Sequence, residues 1–169
     1  MKVAFGLGAN LGDRVAALQG AVDILVPLLR GARVSSVYET APVGGPADQP
    51  DYANAVLVGE TDASAQQLLA AAQEAEQAWH RTREVRWGPR TLDVDVLDVG
   101  GMVSDDAALT LPHPRAHERA FVLVPWAEAD PAAVIPGRGA VAELAAQALA
   151  AEGDDAVRRR DDVSLEVAR

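Results

Sequence analysis

Cysteine is absent from this chain of 169 residues, which excludes disulfides, thiolate metal sites and cysteine nucleophiles together. Histidine is scarce too: three of them leave little for a histidine-built metal cage, so chemistry has to rest on Asp, Glu, Arg and an isolated His. Basic side chains are in the minority, 15 Lys and Arg against 25 Asp and Glu, for a net charge of −10. That balance argues against a long nucleic acid held through many spread phosphate contacts, while a small anion in a local pocket stays compatible with it. No apolar run approaches the roughly 20 residues of a membrane span. Met1-Lys2-Val3-Ala4 leads into a glycine-rich turn instead of a signal peptide, so a cytoplasmic protein without membrane contact is expected. Aromatics make up only 4% of the chain. What is abundant is hydrophobic side chain, 49%, enough to core one domain over residues 1–169, with a monomer as an allowed state. Residues 153–169, where Arg158-Arg159-Arg160 adjoins Asp161-Asp162, are expected to be a solvated tail.

Against the acidic background one segment stands out. Arg86-Trp87-Gly88-Pro89-Arg90 runs directly into Thr91-Leu92-Asp93-Val94-Asp95. Leu92, Val94 and Val96 alternate with Asp93 and Asp95, the pattern of a strand with an apolar face and a carboxylate face. Residues two apart on a strand stand roughly 6.5 to 7 Å apart at Cα, so both carboxylates can converge on one divalent ion or a close pair. Oxygen-only ligands favour Mg²⁺ over zinc. Arg81, Arg83, Arg86 and Arg90 crowd into the same stretch, a local positive field suited to gripping a polyphosphate bidentately.

The order of elements places this segment. Lys2 to Leu7 reads as a buried strand, and Asp13 or a neighbour starts a helix with Val15, Leu18, Val22, Leu25 and Leu29 at helical spacing, distorted in its last turn by Pro27. A strand from about Ala32 to Tyr38, a Pro- and Gly-rich loop from Ala41 to Asp51 and a strand from about Asn54 to Glu60 follow. Ser64 with Gln67 forms a capping box for a helix through Leu68, Leu69, Ala72, Ala75 and Trp79. Thr91 to Val99 is the fourth strand, ended by Gly100-Gly101, and Val141 to Ala151 a last Ala-rich helix. The pattern does not order Val103 to Ile135. Strand, helix, strand, strand, helix, strand is a split βαβ arrangement, so the expected class is α+β: a ferredoxin-like βαββαβ core with an antiparallel-rich sheet flanked by helices.

Three stretches carry a resemblance: the segment from Arg86 to Asp95, Asp48-Gln49-Pro50-Asp51-Tyr52-Ala53-Asn54-Ala55, and Leu111-Pro112-His113-Pro114-Arg115-Ala116-His117-Glu118-Arg119-Ala120-Phe121. Together they resemble the signatures of the 6-hydroxymethyl-7,8-dihydropterin pyrophosphokinases of folate biosynthesis, in that family's order and with similar spacing over about residues 3 to 136. Gly6-Leu7-Gly8-Ala9-Asn10-Leu11-Gly12-Asp13-Arg14 is similar to the family's opening. The resemblance implies the family's ferredoxin-like fold. It implies a reaction in which the pterin hydroxymethyl oxygen attacks the β-phosphorus of ATP and AMP is released.

The same resemblance implies roles. Asp93 and Asp95 would hold two Mg²⁺ ions, with Asp95 the nearer candidate for the hydroxyl proton, and with Arg81 and Arg90 they make the implied catalytic set. Tyr52 and Phe121 would face the pterin from both sides, and Asn54 would meet its polar edge. Thr40, Ala41, Pro42 and Val43 would close the slot. Around ATP the resemblance implies Arg81, Arg83, Arg90, His113 and Arg119, with Gln73, Glu76, Trp87 and Thr110 in lesser parts. His80 and His117 read as structural. Residues 44–50 and 81–87 are expected to be loops that close over the substrates and exclude water. The chain departs from the family at Ala9, His80 and Ala108, which bears on nucleotide affinity. Two other readings stand beside this one: a Mg-dependent phosphohydrolase using the Asp-x-Asp site on water, and an RNA-binding ferredoxin-like module, for which the central strands lack an aromatic ladder.

Overall fold

The computed structural model describes residues 1–10, 12–40, 51–83 and 92–167, with the side chains of 80–83 excepted. Strand β1 (Lys2–Ala9) lies between β4 (Tyr52–Glu60) and β5 (Asp93–Val99), antiparallel to both. β2 (Arg30–Val34) and β3 (Val37–Thr40) both pair with β4, also antiparallel. Helix α1 (Arg14–Leu25) joins β1 to β2, and α2 (Ala65–Arg83) joins β4 to β5. The expected split βαβ core is therefore present, as an antiparallel sheet.

Local chemistry starts both helices where the sequence places them. Asp13 accepts the Ala16 N–H at 3.0 Å, and Ser64 and Gln67 exchange hydrogen bonds of 2.8 and 3.1 Å in a reciprocal capping box. Pro27 sits in a short 3₁₀ turn, Val26–Leu28, that ends the first helix early. Gly100 and Gly101, at φ 58° and 74°, close a turn in which the Met102 N–H reaches the Val99 carbonyl.

Alternation along the strands splits the core into two. Phe5, Leu7, Leu57, Val94 and Val96 face α1 and α2, whereas Ala4, Val56, Val58 and Leu97 face α3 (Ala120–Ala129) and α4 (Val141–Glu152). Between Val99 and Val96 the register with β1 slips by one residue. Leu97 stays on the α3 face by alternation with Asp93 and Asp95, and the extra residue brings Val99, in place of Asp98, onto the α1/α2 face with Val94 and Val96. Between β5 and α3 lie the hairpin of β6 (Ser104–Asp106) and β7 (Leu109–Leu111) and a 3₁₀ turn, Ala116–Glu118. A two-residue pair, β8 (Val134–Ile135) with β9 (Gly139–Ala140), precedes α4.

Two expectations need correction. The strand expected from Ala32 to Tyr38 is broken at Ser35–Ser36, because the Ser35 hydroxyl takes the Val56 N–H at 2.9 Å in place of a ladder carbonyl. The expected solvated tail is packed over residues 153–167: β10 (Arg158–Arg160) pairs with β3, and Leu165 is buried in the α1/α2 core. Arginine–carboxylate bonding, described below, holds that strand in place of an apolar face.

Glu128, near the end of α3, closes the gap that the break opens. Its carboxylate accepts the Ser36 N–H at 3.0 Å, the Ser36 hydroxyl at 2.8 Å and the Tyr38 hydroxyl at 2.6 Å. Partial burial pushes this carboxyl up, but the hydrogen bonds from Tyr38 and Ser36 outweigh it, and Glu128 sits below its ordinary value. Burial and the same bond push the Tyr38 phenol up. Glu128→Ala is expected to cost about 1–2 kcal/mol, a figure discounted for the solvent access of the carboxylate. A depressed acid stabilises the fold fully above its ordinary value of 4.5 and loses that contribution as pH falls through the lowered one. The gap between wild type and variant in urea unfolding should thus be largest at pH 7 and narrow as pH falls below 4.5; a gap that does not change with pH would remove the charge from the account.

Candidate active site

At the end of the sheet where β1 and β3 finish and β4 and β5 begin, the α3 face opens into a cleft of about 600 Å³. The pairing register lays out its floor. Asn54 on β4, Gly8 on β1 and Asp93 on β5 form one row across three strands, and Val56, Gly6 and Asp95 form the next. Neighbouring strands lie about 4.8 Å apart, so Asn54 and Asp93 stand about 10 Å from each other with only a glycine between them. A Cβ on Gly8 would come 3.1 Å from Asn54 Oδ1, and one on Gly6 would come 3.3 Å from the Leu97 side chain. Side chains at either place would fill the floor, which is the use of glycine inside a strand beside a ligand site.

Asp93 and Asp95 point into this cleft, while Leu92, Val94 and Val96 are buried beneath it, as the alternation requires. The Asp95 side chain is half exposed, and its Oδ2 lies 4.0 Å from His113 Nε2. His113 is fixed from two directions: its N–H bonds the Leu97 carbonyl at 3.0 Å, and its Nδ1 accepts the Arg115 N–H at 3.3 Å. That leaves Nε2 to carry the proton of the neutral ring. Burial, aided by the charges of Arg119 and Arg115, outweighs the pull of Asp95 and holds His113 below its ordinary value.

Across the cleft, Thr40 and Tyr52 are cross-strand partners, and buried Asn54 donates to the Thr40 hydroxyl at 2.9 Å. Phe121, in the first turn of α3, lines the same cleft, with the Arg119 guanidinium 5.5 Å from its ring centre. Of the residues singled out in the sequence, Thr40, Tyr52, Asn54, Asp93, Asp95, Arg119 and Phe121 thus come together on one surface. His113 joins them through Asp95.

Others do not. The Glu76 carboxylate accepts the Val94 N–H at 3.0 Å, bracing α2 against the strand that carries the aspartates. Gln73 is exposed on α2, and the Thr110 hydroxyl donates to the Asp106 carbonyl at 3.0 Å. None of the three lines the cleft. Ala9, one of the departures, is buried in the α1/α2 core, and Ala108 sits in the β6–β7 turn with its N–H on Asp106. Ala41, Pro42, Val43, Trp87 and Arg90, with the side chains of His80, Arg81 and Arg83, lie outside the described residues. So do the two expected closing loops, residues 44–50 and most of 81–87.

Sequence reasoning did not assign Gly6, Gly8, Arg115 or Glu152 to the site. Alternate glycines in an otherwise buried strand are a signal for the first two. Glu152 gives none: it reaches the cleft from the end of α4 and accepts the Ala120 N–H at 3.2 Å, capping α3 from 32 residues away. Among the described residues no group of three or more Asp, Glu, His or Cys is placed to hold a metal ion. The two aspartates offer oxygen alone, so a bound cation would take its other ligands from substrate phosphate and water, which is how Mg²⁺ is commonly held. The donor set therefore fits that ion. No helix among the described residues is long and apolar enough to cross a membrane.

The family model of 7,8-dihydro-6-hydroxymethylpterin-pyrophosphokinase matches residues 4–131, which contain every residue of the cleft except Glu152. A 2-amino-4-hydroxy-6-hydroxymethyldihydropteridine pyrophosphokinase of Methylorubrum extorquens is 44% identical over 144 residues, covering 82% of this chain and 90% of its own. The protein of the same name from Mycobacterium tuberculosis is 41% identical over 148 residues, covering 82% and 77%. Among solved structures, the wild-type HPPK-DHPS of Plasmodium falciparum with pteroate superposes with a TM-score of 0.71 at 10% identity, over 94% of this chain. This chain spans 47% of that longer one, and the likeness speaks for the fold. With a family match over most of its length and relatives above 40% identity, the chain belongs to the 7,8-dihydro-6-hydroxymethylpterin-pyrophosphokinase family.

Proposed function

We propose that this chain transfers a pyrophosphoryl group from ATP to the hydroxymethyl group of 6-hydroxymethyl-7,8-dihydropterin, giving the pterin diphosphate and AMP, a step of tetrahydrofolate biosynthesis. The observation that carries the site assignment is the row of Asn54, Gly8 and Asp93. A flat bicyclic ring with its polar edge on Asn54 lies across the bare backbone at Gly8, and its hydroxymethyl arm then ends beside the two aspartates. Tyr52 and Phe121 supply the apolar contact for the ring faces. Thr40 holds the Asn54 amide, so that Oδ1 and the second N–H address the ring edge.

The phosphates lie on the other side of Gly8. Asp93 and Asp95 would hold Mg²⁺, which when bound neutralises charge on the phosphates and favours the transfer. Arg115 and Arg119 bring positive charge to the same cleft from the far wall, and His113 presents an N–H beside Asp95. In the reaction the hydroxymethyl oxygen bonds to the β-phosphorus and the bond from that phosphorus to the α,β-bridging oxygen breaks. AMP leaves with the bridging oxygen, and the hydroxyl proton is lost. The chain's share is to hold the two substrates in line, which can supply much of the acceleration. ATP is the family's co-substrate, and a cytoplasmic, membrane-free enzyme is in keeping with both substrates.

A phosphohydrolase using the aspartate pair on water would need no pterin. Purified chain with Mg²⁺ and ATP, assayed for AMP with and without 6-hydroxymethyl-7,8-dihydropterin, is expected to form AMP only when pterin is present, in step with the pterin diphosphate. Equal AMP in both reactions would reject the transferase.

A further inference from the structure

The three consecutive arginines of β10 lie beyond the family match, which ends at residue 131. They are built into the back of the cleft. Arg158 stands directly across from Glu39 on β3, and Arg160 across from Val37. Glu39 points to the α1/α2 face, since its partner on β4 is Ala53 of that core, while Thr40 next to it points into the cleft. The Glu39 carboxylate accepts from Arg160 at 2.6 Å and from Arg14 at 3.0 Å, with Arg158 at 3.9 Å. Partial burial pushes this acid up; the Arg160 and Arg14 bonds outweigh it and hold it below its ordinary value.

The same cations reach Asp51, the residue before Tyr52. Arg14 donates to its backbone carbonyl at 2.7 Å, and Arg158 donates to its carboxylate. One guanidinium, Arg14, therefore bonds both the strand that ends in Thr40 and the residue that leads into Tyr52, and Arg158 repeats the connection from the other side. Without β10, β3 is a four-residue strand paired on one side only, through Tyr38, Glu39 and Thr40. Short edge strands open at low free-energy cost.

We infer that Arg158, together with Arg14, is a positioning residue for the pterin: by holding Glu39 and Asp51 it keeps Thr40, Tyr52 and Asn54 in the arrangement that binds the ring. The inference rests on the assignment of those three residues to the pterin slot. When only a fraction of the molecules holds the competent arrangement, apparent affinity falls by that fraction. Among the described residues the phosphate side, built on β5 and the start of α3, has no contact with Arg158, and it is expected to keep its affinity.

The test is steady-state kinetics of AMP formation in the full chain. Arg158→Ala and Asp51→Asn are each expected to raise KM for the pterin roughly 3- to 10-fold, with KM for ATP and kcat within about 2-fold of wild type, a loss in the range of a partly exposed ion-pair network. Arg158→Lys should recover at least half of that loss. Arg159→Ala is the control: it removes the same charge from the same strand, but Arg159 pairs with Asp161 and faces away from Glu39. It is expected to leave both KM values unchanged. Parallel rises of both KM values, an effect of Arg159→Ala equal to that of Arg158→Ala, or a change in melting temperature alone would overturn the inference. Tyr52→Ala in the same series separates the two levels: if it raises the pterin KM and Arg158→Ala does not, only the positioning role falls. If neither does, the slot assignment is wrong and the positioning role falls with it.

Discussion

Asp95→Asn, and separately Asp93→Asn, is expected to lower kcat by about three orders of magnitude while leaving the unfolding transition in place. The substitution is close to isosteric and removes only the negative charge. Asp95 is half exposed and packs into no core, so the fold has little to lose there. The reaction has much to lose, because an amide oxygen is a weak ligand for a hard divalent cation and cannot balance its charge against a triphosphate. The measurement is AMP formation at saturating ATP and pterin over a Mg²⁺ titration, with circular dichroism as the check on folding. A variant that keeps a tenth of wild-type kcat would mean that the aspartates do not hold the metal, and the assignment of the phosphate side would have to move.

Asn54→Leu should act on the opposite substrate, lowering kcat/KM for the pterin about 100-fold with KM for ATP unaltered. Leucine keeps the volume but offers neither donor nor acceptor, so the polar edge of the ring would be desolvated without a partner, which is the circumstance in which binding sites discriminate most. The substitution has a second cost. The hydroxyl oxygen of Thr40, itself buried, accepts from Asn54, and its loss of a partner should lower stability by about 1–3 kcal/mol. Urea unfolding and kinetics at a temperature well below the transition separate the two effects. Equal losses of pterin and ATP affinity would show that Asn54 shapes the cleft as a whole.

The core and half of the site were legible because their signals are local. Leu92, Val94 and Val96 alternate with Asp93 and Asp95, and a strand that buries the first three has to present the other two. Asp13 and the Ser64–Gln67 pair cap helices through bonds three residues long. What escaped reading depends on partners far along the chain. Helix α3 shows no amphipathic period, because Ala120, Val122, Leu123, Trp126 and Ala129 are buried on several sides and Pro125 interrupts it. The break at Ser35 needs Val56 to explain it, and Glu152 matters only because α4 ends beside α3. The bond from the Val94 N–H to the Glu76 carboxylate was not legible either, because it joins a helix to a strand 18 residues further on. The arginines of β10 have no alternating apolar face to announce a strand, since Arg158 and Arg160 are tied to the sheet by carboxylates on residues more than a hundred positions earlier.

Helix α3 runs about 10 Å from Phe121, which lines the cleft, to Glu128, on Ser36 and Tyr38. Warming that loosens its far end would carry the Phe121 ring with it, so a cell relying on a Glu128 variant of this chain would grow normally when cool and become a folate auxotroph when hot. Screens for conditional growth would then report a lesion remote from every reacting atom.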